Sequence, residues 1–178
     1  GKLKGIARAG VGVDNIDVPA ATRKGVLVMN TPGGNTLSAA EHTMALILAM
    51  SRNVVPACNS LKGGIWEKKK YMGNQLNNKV LGIIGLGRIG MAVARMATGF
   101  NMKILGYDPL AAPPDAEKIG VRICKDLDDI FKQSDYISVH VPKNEQTLNM
   151  IGAKQIEMMK PTVRLINCAR GGIINEDA

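Results

Sequence analysis

Short apolar runs alternate with helical patterns along most of the chain. From Lys79 onward the apolar runs are KVLGIIG, MKILGYD, DYISVHVP and TVRLINCA. Helical patterns lie between them in RIGMAVARMATGF, DLDDIFKQS and AKQIEMMK. Strands of a parallel sheet are covered on both faces, so their side chains are near-continuously apolar. The order of these segments predicts an α/β fold with a doubly wound parallel sheet of the Rossmann type.

A smaller strand, helix and strand unit precedes this region. Its strands are predicted at residues 3–9 and 26–29, and its helix begins at Asp17, with Pro19 in the first turn. The loop NTPGGNT then leads to a long helix that begins at Thr36 or Ser38. We place a domain boundary in this region, with residues 1–30 in a first domain and residues 31–178 in a second.

The long helix has one face built for burial, because its apolar and small residues recur at helical spacing. Pro56 is expected to break or kink the helix before a second piece, which ends at Gly63 and Gly64. The predicted buried face consists of Ala40, Thr43, Met44, Ile47, Leu48 and Ser51.

Composition narrows the classes of partner. The 178 residues are 46% hydrophobic and 21% charged, as in a globular domain, and the formal net charge of +8 favours anionic ligands. Only 3% of residues are aromatic and the basic residues are dispersed except at Lys68–Lys70, which argues against nucleic acid. Three cysteines without a CxxC pair fit a reducing, cytoplasmic location. No apolar run approaches the roughly 18 residues of a membrane span.

The glycine loop GIIGLGRIG carries the most specific motif. Gly85, Gly87 and Gly90 directly follow a predicted strand and open a helix. In that setting the first glycine makes a tight turn, the second admits a pyrophosphate and the third lets helix and strand pack closely. The helix N-terminus attracts the phosphates. The loop therefore predicts a dinucleotide site.

Asp108 follows the next strand, 18 residues beyond Gly90 (108 − 90). At this place a carboxylate accepts hydrogen bonds from the adenosine ribose. It would repel a 2′-phosphate by about 2–4 kcal/mol at the dielectric of a partly exposed site. NAD is therefore predicted as the cofactor, in preference to NADP.

These motifs, together with RAGVGVDNID, VHVP and MKPTVRLINCARGG, resemble the D-isomer-specific 2-hydroxyacid dehydrogenases. The resemblance covers nearly the whole chain, and it implies that residues 1–30 end a flavodoxin-like substrate-binding domain. Residues 31–178 would be the NAD-binding domain, incomplete at its C-terminus. The segments NTPGGNTLSAAE and WEKKKYMG are most similar to the branch that oxidises 3-phospho-D-glycerate in serine biosynthesis.

The resemblance implies roles for further residues. Arg170 would be the catalytic arginine, contacting both substrate and cofactor, and Arg8 and Asn35 would contact the substrate. Relatives can carry a hydroxyl residue at the positions of Val11 and Val141. The implied cofactor contacts outside the glycines and Asp108 are Val11, Arg88, Ile89, Val141, Cys168, Ala169 and Arg170. The resemblance also implies a homodimer or larger homo-oligomer that forms through the helix near Ser38. The basic run after Trp66 would then reach toward the partner subunit's site, although a solvated Lys68 is the simpler interpretation.

Arg170 suits the chemistry of a 2-hydroxyacid. A guanidinium binds a carboxylate through two parallel hydrogen bonds and stays charged, so it holds C2 toward the nicotinamide. Neither histidine is a strong candidate base: His42 is interpreted as a packed or capping residue, and His140 as structural more often than catalytic. The resemblance implies a histidine and a glutamate beyond the ARGG segment, so we expect this chain alone not to turn over substrate. No metal site is predicted.

Two alternatives remain open at this point. One is a glyoxylate or hydroxypyruvate reductase of the same family, against which the NTPGGNT segment counts. The other is a non-catalytic, NAD-sensing corepressor built on the same fold.

Overall fold

A computed structural model describes residues 1–110 and 112–178. The chain divides into two compact units, Gly1–Ser38 and Ala39–Ala178. The first unit contains β1 (Gly5–Ala7), α1 (Val18–Arg23) and β2 (Leu27–Met29), with the two strands parallel. The Asp17 side chain caps α1 by accepting from the Ala20 N–H at 2.8 Å. The predicted assignment of residues 1–30 to a substrate-binding domain stays a prediction.

The second unit is built on a parallel sheet, which confirms the predicted fold class. The strand order is β5-β4-β3-β6-β7. The strands are β3 (Val80–Ile84), β4 (Lys103–Tyr107), β5 (Val121–Ile123), β6 (Tyr136–Val139) and β7 (Arg164–Asn167). The helices are α2 (Thr36–Ser51), which begins in the first unit, α3 (Val54–Lys62), α4 (Arg88–Thr98), α5 (Leu127–Gln133) and α6 (Ala153–Glu157), with a short 3-10 helix at Glu117–Ile119.

Helices cover both faces of this sheet. Successive strand residues point to opposite faces, so Leu81 and Ile83 of β3 pack in one apolar cluster and Ile84 packs in another. The first cluster includes buried residues of α2 and α4, and the second includes buried residues of α5. This two-sided burial explains why the strand sequences are almost entirely apolar.

The break after α2 differs from the prediction. The helix ends at Ser51, and Asn53 takes a left-handed conformation with φ 52°. Pro56 lies within the first turn of α3, where its missing N–H leaves no helical hydrogen bond unmade. The expectation that Pro56 breaks the long helix was therefore wrong. The predicted buried face of α2 is confirmed, with Leu48 half-buried at its edge.

Candidate cofactor site

A cleft of about 520 Å³ lies at the carboxyl edge of the sheet, where β3, β4 and β6 end. The chain builds β3, β4 and β5 outward in one direction and then crosses to β6 and β7 on the other side of β3. Ligands of doubly wound sheets bind at this reversal. The cleft is lined by Ile84, Gly85, Gly87, Tyr107, Asp108, Pro109, Leu110, Leu127, His140, Val141, Pro142, Asn144, Gln146, Thr147 and Met150.

Two of the loop glycines are required by the protein itself. Gly85 has φ 95°, and a Cβ there would lie 2.8 Å from the carbonyl carbon of His140. A Cβ at Gly90 would overlap the carbonyl oxygen of Gly85. Any larger residue would therefore push the loop away from β6 or α4 away from the loop.

Gly87 is different, because a Cβ at this position would meet no protein atom within 4 Å. Gly87 is exposed, lines the cleft and precedes α4 without a side-chain cap. The helix therefore opens with backbone N–H groups that no side chain covers, which suits an anion. A requirement for glycine at this position would come from a bound molecule.

Asp108 is fixed in place by two backbone donors. Its Oδ2 accepts from the Leu86 N–H at 2.7 Å, and its Oδ1 accepts from the Leu110 N–H at 3.0 Å. The carboxylate thus connects the end of β4 to the centre of the glycine loop. Each oxygen has a second lone pair, so the carboxylate can still accept from ribose hydroxyls.

The β6 side of the cleft contains residues that the sequence did not single out as ligands. His140 lines the cleft, its Nε2 lies 2.9 Å from the Ser138 Oγ, and burial lowers the pKa of His140 to about 4. Thr147 also lines the cleft and is held by hydrogen bonds to Pro142 and Asn144. The one sequence signal for Thr147 is its place after an apolar strand, in an Asn-x-x-Thr turn.

The ARGG segment leaves β7 on a turn held by one side chain. Asn167 Oδ1 accepts from the Ala169 N–H at 3.0 Å, and Asn167 Nδ2 donates to the Arg170 carbonyl at 2.8 Å. Arg170 is exposed and its Nη1 donates to the Ala169 carbonyl at 2.8 Å. Cys168 and Ala169 are half-buried behind it. Because β7 is parallel to β3 and β4, Arg170 emerges at the same edge as the glycine loop and Asp108.

The remaining predicted contacts divide between the two units. Arg88 is exposed at the first position of α4, Ile89 packs partly on the core, and Val141 is buried in the cleft wall. In the first unit, the Arg8 Nε donates to Asn15 Oδ1 at 3.2 Å and the Val11 carbonyl accepts from Asn30.

Asn35 is exposed, and its carbonyl accepts from the Ser38 hydroxyl. The participation of Arg8, Val11 and Asn35 in a site stays a prediction.

Three further expectations concern charged and titratable residues. His42 is exposed on α2, so its interpretation as a packed or capping residue was wrong. Lys68 is exposed, while Lys70 pairs with Glu67 at 3.1 Å. Within residues 1–110 and 112–178, no cluster of three His, Cys, Asp or Glu side chains could hold a metal ion.

The helices formed by those residues include none with the length and hydropathy of a membrane span.

Residues 44–178 match the family model for the D-isomer specific 2-hydroxyacid dehydrogenase, NAD binding domain. The chain belongs to this family. Its cofactor is NAD, and the family's NAD-binding domain corresponds to the parallel-sheet unit described above.

Relatives within the family include D-3-phosphoglycerate dehydrogenases. The enzymes of Synechocystis sp., Archaeoglobus fulgidus and Homo sapiens are 50%, 51% and 49% identical over 99% of the chain. The chain spans about a third of their length: 32%, 33% and 33%.

Solved structures show the same fold. D-lactate dehydrogenase from Aquifex aeolicus, complexed with NAD and lactic acid, matches with a TM-score of 0.89 and 37% identity over 99% of this chain and 53% of that one. A formate dehydrogenase from Granulicella matches with a TM-score of 0.93 and 29% identity, covering 99% of this chain and 48% of that one. The predicted family, fold and cofactor are thereby confirmed.

Proposed function

We propose that this chain supplies the NAD-binding part of an enzyme that oxidises 3-phospho-D-glycerate to 3-phosphohydroxypyruvate, the first step of serine biosynthesis. The observation that carries the proposal is the common edge of the sheet. There β3 delivers the glycine turn, β4 delivers Asp108 and β7 delivers Arg170. A dinucleotide site and a carboxylate-binding cation are two of the groups that hydride exchange with a 2-hydroxyacid requires, the third being a proton acceptor.

Each element of the site would have a distinct task. NAD supplies the hydride acceptor when bound. The α4 N-terminus and Arg88 would hold its phosphates and Asp108 its adenosine ribose, while Val141, Cys168 and Ala169 would line the cleft. Arg170 would bind the substrate carboxylate through its guanidinium and polarise the neighbouring C2 oxygen.

His140 is a poor general base for this reaction. Its pKa of about 4 leaves it a weak proton acceptor near neutral pH. We therefore do not propose His140 as the acceptor of the proton from the substrate hydroxyl.

Support for the substrate comes from sequence similarity and charge. The relatives with about 50% identity over almost the whole chain are named D-3-phosphoglycerate dehydrogenases. A net charge of +8 favours a substrate that carries both a phosphate and a carboxylate. Arg8 and Asn35 of the first unit are proposed as substrate contacts. We also propose a cytoplasmic location for the protein.

The test is a substrate comparison with the full-length protein. Oxidation of 3-phospho-D-glycerate would be followed by NADH absorbance, alongside NADH-dependent reduction of glyoxylate and of hydroxypyruvate. The proposal expects the highest kcat/KM with the phosphorylated pair of substrates. A preference for glyoxylate or hydroxypyruvate would reject it in favour of a reductase, and NAD binding without turnover of any of these would favour a non-catalytic role.

A second copy of the protein is the proposed macromolecular partner. None of the residues in α3 is buried, and the segment from α3 to Met72 exposes several large apolar side chains. Leu61, Ile65 and Trp66 line one groove, and exposed apolar patches commonly mark protein–protein contacts. The buried face of α2 packs inside its own unit, so the proposed contact uses the exposed face of this helix and continues onto α3 and the segment after it. The exposed large apolar residues of α3 and that segment are Val54, Val55, Leu61, Ile65, Trp66 and Met72.

A further inference from the structure

Ser138 is a polar residue in the centre of an apolar sheet. It lies in β6 opposite Ile83 of β3 and Ile166 of β7, and it is fully buried. Among the residues that the structure describes, its hydroxyl has one hydrogen-bond partner, the Nε2 of His140 at 2.9 Å. A buried hydroxyl in such surroundings is costly unless it is hydrogen-bonded, so this pair is a specific feature of the site.

The surroundings of Ser138 indicate which atom donates. If the His140 Nε2–H donated to the hydroxyl, the Ser138 O–H would be a buried donor with no acceptor among the described residues. If the hydroxyl donates instead, only lone pairs are left unused, which costs less than an orphaned donor. Ser138 is therefore the donor, and the proton of the neutral imidazole resides on Nδ1.

The imidazole ring of His140 lies in the cleft wall. It follows β6 directly, its backbone N–H donates to the Ile84 carbonyl at 2.7 Å, and its own carbonyl abuts Gly85. Nδ1 has no hydrogen-bond partner among the described residues. The low pKa of His140 keeps the ring neutral near pH 7, so Nδ1–H is available as an uncharged donor.

The neighbouring wall suits a purine. Leu110, Leu127 and Met150 give the cleft an apolar lining, and Asp108 is placed for the adjacent ribose. A flat base with acceptor nitrogens would gain burial from the apolar side chains and one directed hydrogen bond from the ring.

We propose that Ser138 and His140 form a positioning pair, in which the Ser138 hydroxyl fixes the His140 tautomer that donates from Nδ1 to the adenine of bound NAD. The inference depends on NAD occupying this cleft, which is part of the proposed function. His140 then contributes to cofactor recognition, and Ser138 acts through it.

The tautomer can be read directly by NMR. The chain has two histidines, so nitrogen-15 spectra of the imidazoles contain two ring systems, and exposed His42 serves as the internal reference. The expected result near pH 7 is an Nδ1–H tautomer at His140 that becomes a mixture in Ser138→Ala. An Nε2–H tautomer in the unsubstituted chain would overturn the inference without any variant.

Binding supplies the second measurement. Calorimetry would give the Kd of NAD and of ADP-ribose, which lacks the nicotinamide, for Ser138→Ala and His140→Phe. Loss of one neutral hydrogen bond corresponds to an affinity about three- to tenfold weaker, and the loss should be equal for both ligands because it arises at the adenosine end. Ser134→Ala is the matched control, since Ser134 is also fully buried but its hydroxyl forms no hydrogen bond to His140 or to any other described residue. It should bind as the unsubstituted chain does.

The outcomes separate this inference from the function on which it rests. If NAD binds without perturbing the backbone resonances of Gly85 and Gly87, the site itself is misplaced. If those resonances shift but His140→Phe binds NAD and ADP-ribose normally, the site stands and the role of His140 is rejected. A change seen with NAD but not with ADP-ribose would also reject it.

Discussion

At the scale of single residues, Arg170 depends on the turn that carries it. Asn167 holds that turn from both sides, through the Ala169 N–H and the Arg170 carbonyl. The guanidinium therefore starts from a fixed backbone position, which lowers the entropy lost when it binds a carboxylate. A lysine at the same position would keep the charge but lose the planar pair of donors.

We expect Arg170→Lys in the full-length enzyme to lower kcat/KM for 3-phospho-D-glycerate by about 100-fold, equivalent to about 2.7 kcal/mol of transition-state stabilisation. The affinity for NAD should change much less. Arg95→Lys is the control, because Arg95 pairs with Asp115 on the exposed side of α4. Similar kinetics for both variants would remove Arg170 from the catalytic site.

His140 should make stability depend on pH. Its folded pKa of about 4 lies below the ordinary value of 6.5, so the fold favours the neutral ring. This contribution is fully present above about pH 6.5 and is lost as the pH falls toward 4, by up to about 1.4 kcal/mol per pH unit. The other titratable groups that line the cleft are Asp108 and Tyr107.

Urea unfolding of the chain and of His140→Phe at several pH values would isolate this contribution. The free energy of unfolding should fall less steeply below about pH 6.5 in the variant. Parallel curves for the two proteins would contradict the buried, neutral state of His140.

At the scale of elements, the glycine loop combines two kinds of steric requirement. We expect Gly90→Ala to destabilise the chain by about 1–3 kcal/mol, because its Cβ overlaps the Gly85 carbonyl. Gly87→Ala should unfold at nearly the normal urea concentration, since its Cβ meets no protein atom. It should still bind NAD about tenfold more weakly because the methyl group occupies ligand space.

Calorimetry and urea titration of the same two variants would check this contrast. Normal NAD affinity in a stably folded Gly87→Ala chain would show that no phosphate approaches the loop. A fully stable Gly90→Ala chain would contradict the close packing of α4 on the loop.

Local pattern was sufficient to predict much of this architecture. The strands β3, β4, β6 and β7 and the glycine loop are encoded by contiguous residues, whose burial or turn geometry shows in the sequence. The end of α2 was missed because Asn53, in a left-handed conformation, ends it before Pro56 does. The strand β5 was missed because it has three residues, one of them the exposed Arg122. The position of His140 in the cleft depends on the crossing from β5 to β6, which no local pattern specifies.

At the scale of the whole molecule, the apolar surface on α3 and the segment after it predicts self-association. Val55→Glu should shift the full-length protein from dimer toward monomer in sedimentation experiments, since a charge at 61% exposed Val55 would be buried by a partner. Trp66 is the single tryptophan among residues 1–178, so in this chain its emission should move to longer wavelength on dissociation. Lys154→Glu, exposed on α6, controls for the change in charge. A monomeric unsubstituted protein would reject the proposed interface.

The hydrogen bond between Asp108 and the Leu86 N–H bears on redesign of cofactor preference. Removing the carboxylate is the direct way to accommodate NADP, but here it also releases the centre of the glycine loop. Asp108→Ala should therefore lose affinity for both dinucleotides rather than exchange one for the other. Asp108→Asn keeps an acceptor oxygen for Leu86 without the negative charge. A redesign for NADP would have to start from Asp108→Asn and add a cation for the 2′-phosphate.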